Sequence, residues 1–143
     1  NNSGLIVGYY LDVDFTAYHG FLRDTSGNFM SIDVPFQDAI ETFALGINDA
    51  GSIIGKYTDS DFNAHGFLYT GGNFSPIDFP GAANTIASGI NNSETIIGTY
   101  ALPDGPEHGF IATPGTPVPE PTTLLFLSSG LIGLAALKKK FKR

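Results

Sequence analysis

One block of ten residues occurs three times in this chain. Asn1-Asn2-Ser3-Gly4-Leu5-Ile6-Val7-Gly8-Tyr9-Tyr10 matches Asn48-Asp49-Ala50-Gly51-Ser52-Ile53-Ile54-Gly55-Lys56-Tyr57, and both match Asn91-Asn92-Ser93-Glu94-Thr95-Ile96-Ile97-Gly98-Thr99-Tyr100. Each copy is followed by His-Gly-Phe, at His19-Gly20-Phe21, His65-Gly66-Phe67 and His108-Gly109-Phe110. Ile32-Asp33-Val34-Pro35 then pairs with Ile77-Asp78-Phe79-Pro80, and Ala44-Leu45-Gly46-Ile47-Asn48 with Ala87-Ser88-Gly89-Ile90-Asn91. Equivalent positions lie 43 to 47 residues apart. A period of that length means one supersecondary unit per repeat, which buries its apolar face only by stacking on its neighbours.

Each unit reads as four short strands. In the second repeat they fall near Ile53–Tyr57, Gly66–Tyr69, Phe74–Ile77 and Thr85–Ile90, rich in β-branched and aromatic residues and bounded by turn formers. Asn48-Asp49-Ala50-Gly51 suits a type I turn followed by a glycine at positive φ. Asp24-Thr25-Ser26-Gly27-Asn28 and Thr70-Gly71-Gly72-Asn73 suit the middle hairpins, and Pro80-Gly81 turns the chain toward the fourth strand. The expected fold is all-β: tandem four-stranded antiparallel repeats of propeller-blade type, over residues 1–47, 48–90 and, in part, 91–113. Two and a half blades cannot close a ring, and the first copy begins inside a repeat with neither Met nor an apolar leader. A fragment of a longer or processed protein is the expectation. The succession Gly-Ile-Asn, Ile-Ile-Gly-x-Tyr, His-Gly-Phe-Leu, Ile-Asp-x-Pro also resembles the extracellular repeats labelled HAF. That resemblance implies a propeller-like scaffold of bacterial surface proteins with no single activity.

The C-terminus has a different grammar. After a Pro-rich linker (114–121), Thr122 to Leu137 form 16 residues without a charge, followed by Lys138, Lys139, Lys140, Phe141, Lys142 and Arg143. As a helix the apolar run measures ~24 Å, a little short of a ~30 Å hydrocarbon core, and the lysine stems make up part of the difference. A transmembrane helix over 122–137 and a cytoplasmic basic tail over 138–143 are expected, because Lys and Arg stay on the cytoplasmic side. Val118-Pro119-Glu120-Pro121, the Leu- and Gly-containing run and the basic stop together resemble a PEP-CTERM sorting signal. The resemblance implies an envelope protein of a Gram-negative bacterium and an exosortase-type enzyme that processes it near Pro119-Glu120-Pro121. It further implies a transient anchor and a host that makes extracellular polysaccharide, as in a biofilm matrix.

Charge and cysteine bound the exported part. Five of the seven Lys and Arg lie in the last six residues, leaving Arg23 and Lys56 against fourteen Asp and Glu. Such an acidic surface argues against nucleic acid as a partner. With no cysteine there is neither a disulfide framework nor a thiol nucleophile.

His19, His65 and His108 are the only histidines and open the same strand of each repeat. A residue needed once per repeat belongs to the repeat, so each is expected to cap its own blade with a hydrogen bond to a neighbouring turn; a metal- or substrate-binding ring is the alternative. Asp12 and Asp14 share a loop position with Asp59 and Asp61, and Asp104 falls at the corresponding place in the third repeat. These carboxylates supply hard oxygens for Ca²⁺, or simply form solvated turns without any cofactor. Phe21, Phe67 and Phe110 are expected to fill the space between sheets. No hydrolase elbow, phosphate loop or metalloprotease His pair occurs. The expected function is a non-enzymatic surface or matrix protein, anchored in the membrane until processed. A glycan-binding module, with Ca²⁺ at the acidic loops and extracellular polysaccharide as partner, is the alternative, and a polysaccharide-active enzyme comes third.

Overall fold

The computed structural model describes residues 1–114. Ten strands follow one another: β1 (Ile6–Leu11), β2 (Tyr18–Arg23), β3 (Phe29–Ser31), β4 (Ala39–Ile47), β5 (Ile53–Asp59), β6 (Ala64–Thr70), β7 (Asn73–Ile77), β8 (Asn84–Ile90), β9 (Ile96–Ala101) and β10 (Glu107–Ala112). They form three antiparallel sheets, β1-β2-β3, β4-β5-β6-β7 and β8-β9-β10, with no helix among the described residues. The expected transmembrane helix (122–137), the Val118–Pro121 motif and the basic tail (138–143) lie outside the described residues.

The turns behave as their residues dictate. Gly51 sits at φ 85° and its N–H donates to the Asn48 carbonyl, while Gly71 and Gly72 hold φ 57° and 87° in the two-residue β6–β7 hairpin. The strands expected in the second repeat are all present, but they do not form one sheet. β8 pairs with β9, and β4, from the end of the first repeat, pairs with β5. The sheet is therefore offset by one strand from the sequence repeat. Pro76 in β7 supplies part of the reason, because a strand lacking an N–H there is suited to an edge.

The sheets pack face to face in chain order and form no closed ring. Ile53, Tyr57 and Phe67, on the front of the middle sheet, are buried with Ile32, Val34 and Ala44 and packed by Val7 and Leu22 of the first sheet. Ile54, on its back, is buried with Ala87 and Ile96 of the third sheet. Within each sheet a glycine faces the repeated phenylalanine: Gly8 opposite Phe21, Gly55 opposite Phe67 and Gly98 opposite Phe110. A Cβ at Gly55 or Gly98 would collide with that ring and with the carbonyl of Phe43 or Ile86 on the adjoining strand. The glycine of the Ile-Ile-Gly-x-Tyr block thus makes room for both.

Polar side chains tie sheet to sheet. Asn1 Nδ2 donates to the Asn48 carbonyl at 2.8 Å, and Asn48 Nδ2 donates to the Asn91 carbonyl at 3.2 Å. One residue on, Asn2 and Asn92 both donate from Nδ2 to Asp49 Oδ2 at 2.8 Å. Repeated turns thereby form a ladder across the stack. A second device sits in the linkers, where Thr42 Oγ1 accepts from the Val34 N–H at 3.1 Å and Thr85 Oγ1 from the Phe79 N–H at 3.0 Å. Both threonines are buried, and each hydroxyl satisfies a main-chain donor of its own linker.

Candidate functional site

Each histidine is the second residue of its strand, β2, β6 or β10, directly across from the tyrosine that ends the Ile-Ile-Gly-x-Tyr block: Tyr10 with His19, Tyr57 with His65, Tyr100 with His108. Cross-strand pairing brings the rings to 5.5, 5.0 and 5.3 Å between centroids. The aspartate of Ile-Asp-x-Pro then meets the imidazole, since His19 Nδ1 lies 3.2 Å from Asp33 Oδ2 and His65 Nδ1 lies 3.2 Å from both Asp78 oxygens. His65 has a second carboxylate, with Nε2 3.1 Å from Asp59 Oδ2. His108 has the tyrosine stack alone among the described residues, and no aspartate follows it in the sequence. The partners are carboxylates, Asp33 and Asp78 from the linkers and Asp59 from the end of β5.

Charge at this cluster is set by its neighbours. The Asn63 N–H, with His65 and the Asn63 side chain, holds the Asp59 carboxyl down at about 2. Burial is the largest single influence on His65 and opposes its charge, but Asp59 and Asp78 together outweigh it and raise the imidazole. Burial, then Asp78 and Asp59, pushes the Tyr57 hydroxyl up.

The acidic loops are built around their first carboxylate. Asp12 accepts from the Thr16 N–H and hydroxyl, and this holds its carboxyl below the usual range. Asp59 accepts from the N–H groups of Asp61 and Asn63. Asp14 and Asp61 follow two residues later, and among the described residues neither carboxylate accepts such a bond. In the third loop Leu102 replaces that first aspartate, and Asp104 adopts φ 58°, so the carboxylate-centred turn is absent there. Among the described residues no group of three or more His, Asp or Glu side chains is arranged to hold a metal ion. The imidazole of His65 stands between Asp59 and Asp78, which keeps those two from converging on one point.

The first sheet adds a hydroxyl, with Ser31 Oγ donating to Asp33 Oδ2. The order is Ser–Asp–His with the carboxylate in the middle, so the imidazole is not placed to take the serine proton as a general base does. Pro76 stands at the equivalent register position in the second sheet, and the hydroxyl is not repeated.

The decisive comparison concerns the tail. Residues 117–140 match the PEP-CTERM protein-sorting motif. The motif covers Val118, Pro119, Glu120 and Pro121, the apolar run, and Lys138 to Lys140, with Lys142 and Arg143 just beyond it. A PEP-CTERM motif implies export, membrane-associated sorting and an exosortase-type processing partner. It spans 24 of 143 residues and so characterises the tail and not the sheets. No curated protein and no solved structure matches the chain.

The asparagine ladder and the buried threonines were not anticipated from the sequence. Their signal was present, since Asn1, Asn48 and Asn91 recur as regularly as the histidines, and Thr42 and Thr85 also recur. Asparagine in a turn already has a local explanation, which hid its reach to the next sheet.

Proposed function

We propose that this chain is a non-enzymatic repeat protein of the cell surface or extracellular matrix, delivered through its C-terminal PEP-CTERM segment. The sheets are blades of a HAF-type, propeller-like scaffold. Residues 122–137 span the membrane before processing, with Lys138 to Arg143 on the cytoplasmic side, and the cut near Pro119-Glu120-Pro121 releases the sheets to the outside. One observation carries the reading: a sorting motif follows a β-repeat whose histidines recur in every copy and whose carboxylate-centred turns recur in two of the three. A catalytic centre needs groups that act once, in one asymmetric cleft, whereas these are spent on the scaffold. Ca²⁺-assisted glycan binding at the acidic loops is the weaker reading, because Asp12 and Asp59 already spend carboxylate oxygens on their own turns. His19 and His65 hold linker to sheet in this scheme.

The test is processing in a strain that has exosortase. Glu120→Ala, or deletion of residues 118–121, should leave full-length protein in the membrane fraction. The apolar run still inserts, because insertion depends on hydrophobicity and not on the Pro-Glu-Pro turn. Normal release of either variant would overturn the sorting role.

A further inference from the structure

We infer that the outer edge of β1, with the apolar recess on the face of its sheet, is a docking site for a strand-and-linker segment built like residues 32–48 or 77–91 of this chain. The inference goes beyond the function proposed above and does not rest on it. β5 and β9 each carry such a segment along that edge, residues 32–48 delivering β4 and residues 77–91 delivering β8. β1 is the counterpart of β5 and β9, and among the described residues no strand pairs with its outer side.

In the internal copy the same face lies under the segment and the preceding sheet together: Ile53 and Tyr57 cluster with Ile32, Val34, Ala44 and Phe36 of the segment and with Val7 and Leu22 of the first sheet. Tyr10 is 49% exposed where Tyr57 is 8% exposed, and Ile6 is 50% exposed where Ile53 is fully buried. Phe36 packs on Tyr57 at 5.4 Å between ring centroids, and Phe79 stacks on Tyr100 at 3.6 Å; both come from the linker. Tyr10 instead lines a recess of about 370 Å³ with Phe21, Phe29, Met30 and Ser31. Gly8 is the glycine whose counterparts, Gly55 and Gly98, clear the carbonyl of the docked strand; at Gly8 an added Cβ would meet only the Phe21 ring.

Both internal segments dock in one register. Thr42 faces Tyr57, Ala44 faces Gly55, and after a bulge Gly46 faces Ile54 and Ile47 faces Ile53; Thr85, Ala87, Gly89 and Ile90 repeat the pattern on β9, bulge included. Transferred to β1, the threonine faces Tyr10, the alanine Gly8, the bulged glycine Val7 and the last isoleucine Ile6. The segment brings its own brace, because its threonine hydroxyl accepts from its own linker N–H. Recognition is strand addition: main-chain hydrogen bonds supply affinity, while the small residue at Gly8 and the aromatic over Tyr10 supply selectivity.

The experiment titrates a fluorescent synthetic peptide of residues 32–48 onto the full chain in detergent micelles, with hydrogen exchange read on the same samples. Saturable one-to-one binding is expected, with slowed exchange confined to residues 6–11. An Ala44→Arg peptide should bind at least about tenfold more weakly, since no large side chain fits against glycine and the phenylalanine ring. A scrambled peptide should not bind. Equal binding by either control overturns the site, and so does protection that maps to β5, which would signify exchange with β4. Absence of binding to a chain whose other amides stay protected also overturns it. Protection of β1 that grows with protein concentration without peptide assigns the edge to a second copy and overturns the proposal.

Discussion

His65 shows how one side chain links the chemistry of a repeat to its stability. Asp59 and Asp78 raise its imidazole above the usual 6.5 against the opposing effect of burial. The resulting stabilisation is fully present below the unfolded imidazole's pKa and is lost as pH rises through the raised folded value. Asp59 acts with the opposite sign. Its carboxyl is held down from 3.8 to about 2, so its contribution is full above the unfolded value and is lost as pH falls through about 2. The cluster should therefore stabilise most between roughly pH 4 and 6.5. In urea denaturation from pH 3 to 9, His65→Ala should lower stability at pH 6 by ~0.5–1.5 kcal/mol and flatten the alkaline limb. An unchanged alkaline limb would count against the pairing. Glycine makes the second residue-scale prediction. Gly55→Ala forces a methyl against the Phe43 carbonyl and should cost at least ~3 kcal/mol, the upper end of overpacking. Gly8→Ala meets only a ring that can turn, and its thermal melt should shift much less.

At the scale of elements, the turns join sheets that strand pairing alone leaves separate. Asn48 is buried; its Oδ1 accepts from the Ser52 N–H at 2.9 Å while its Nδ2 reaches the Asn91 carbonyl. Removing that side chain strands polar groups in the interior, so Asn48→Ala should cost ~1–3 kcal/mol in denaturant midpoint measurements. Asn91 braces its own turn, accepting from the Ser93 and Thr95 N–H groups at exposed positions, and its Nδ2 bonds to no other described residue. Asn91→Ala should cost less than Asn48→Ala. The reverse ranking would show that local turn bracing, and not the ladder, is what these asparagines supply. The same logic places Thr42 and Thr85, each buried with one main-chain N–H depending on it.

For the whole molecule, stability lies at the faces between sheets. Ile54 and Ile97 are the same residue of the repeat, yet Ile54 is fully buried against the third sheet and Ile97 is 52% exposed on its far side. Ile54→Ala should cost ~2–5 kcal/mol and Ile97→Ala should stay within about 0.5 kcal/mol. Equal effects in thermal melts of the full chain would mean that the third sheet's outer face is covered. A stack in which each sheet touches only its neighbours has nearest-neighbour energetics, so damage at one interface should leave the other largely intact.

Much of this was legible in the residues. The 43–47-residue period, the alternation of β-branched residues and the Gly and Asn punctuation specified antiparallel strands at their observed places, because those signals act within a few residues of themselves. The tail was legible for the same reason: a Pro-Glu-Pro break, an apolar run and a basic stop are contiguous. Which strands share a sheet was a different matter. β8 follows β7 closely in the chain, and only the competition between β7, carrying Pro76, and the open side of β9 assigns it to the next sheet. The imidazole's partners were equally out of reach, since His65 meets Asp59 and Asp78 only after two hairpins have folded. Periodicity alone determined what each repeat is made of. The tertiary structure decided how one repeat meets the next, because that depends on which face of each strand is left to bury and what stands opposite it.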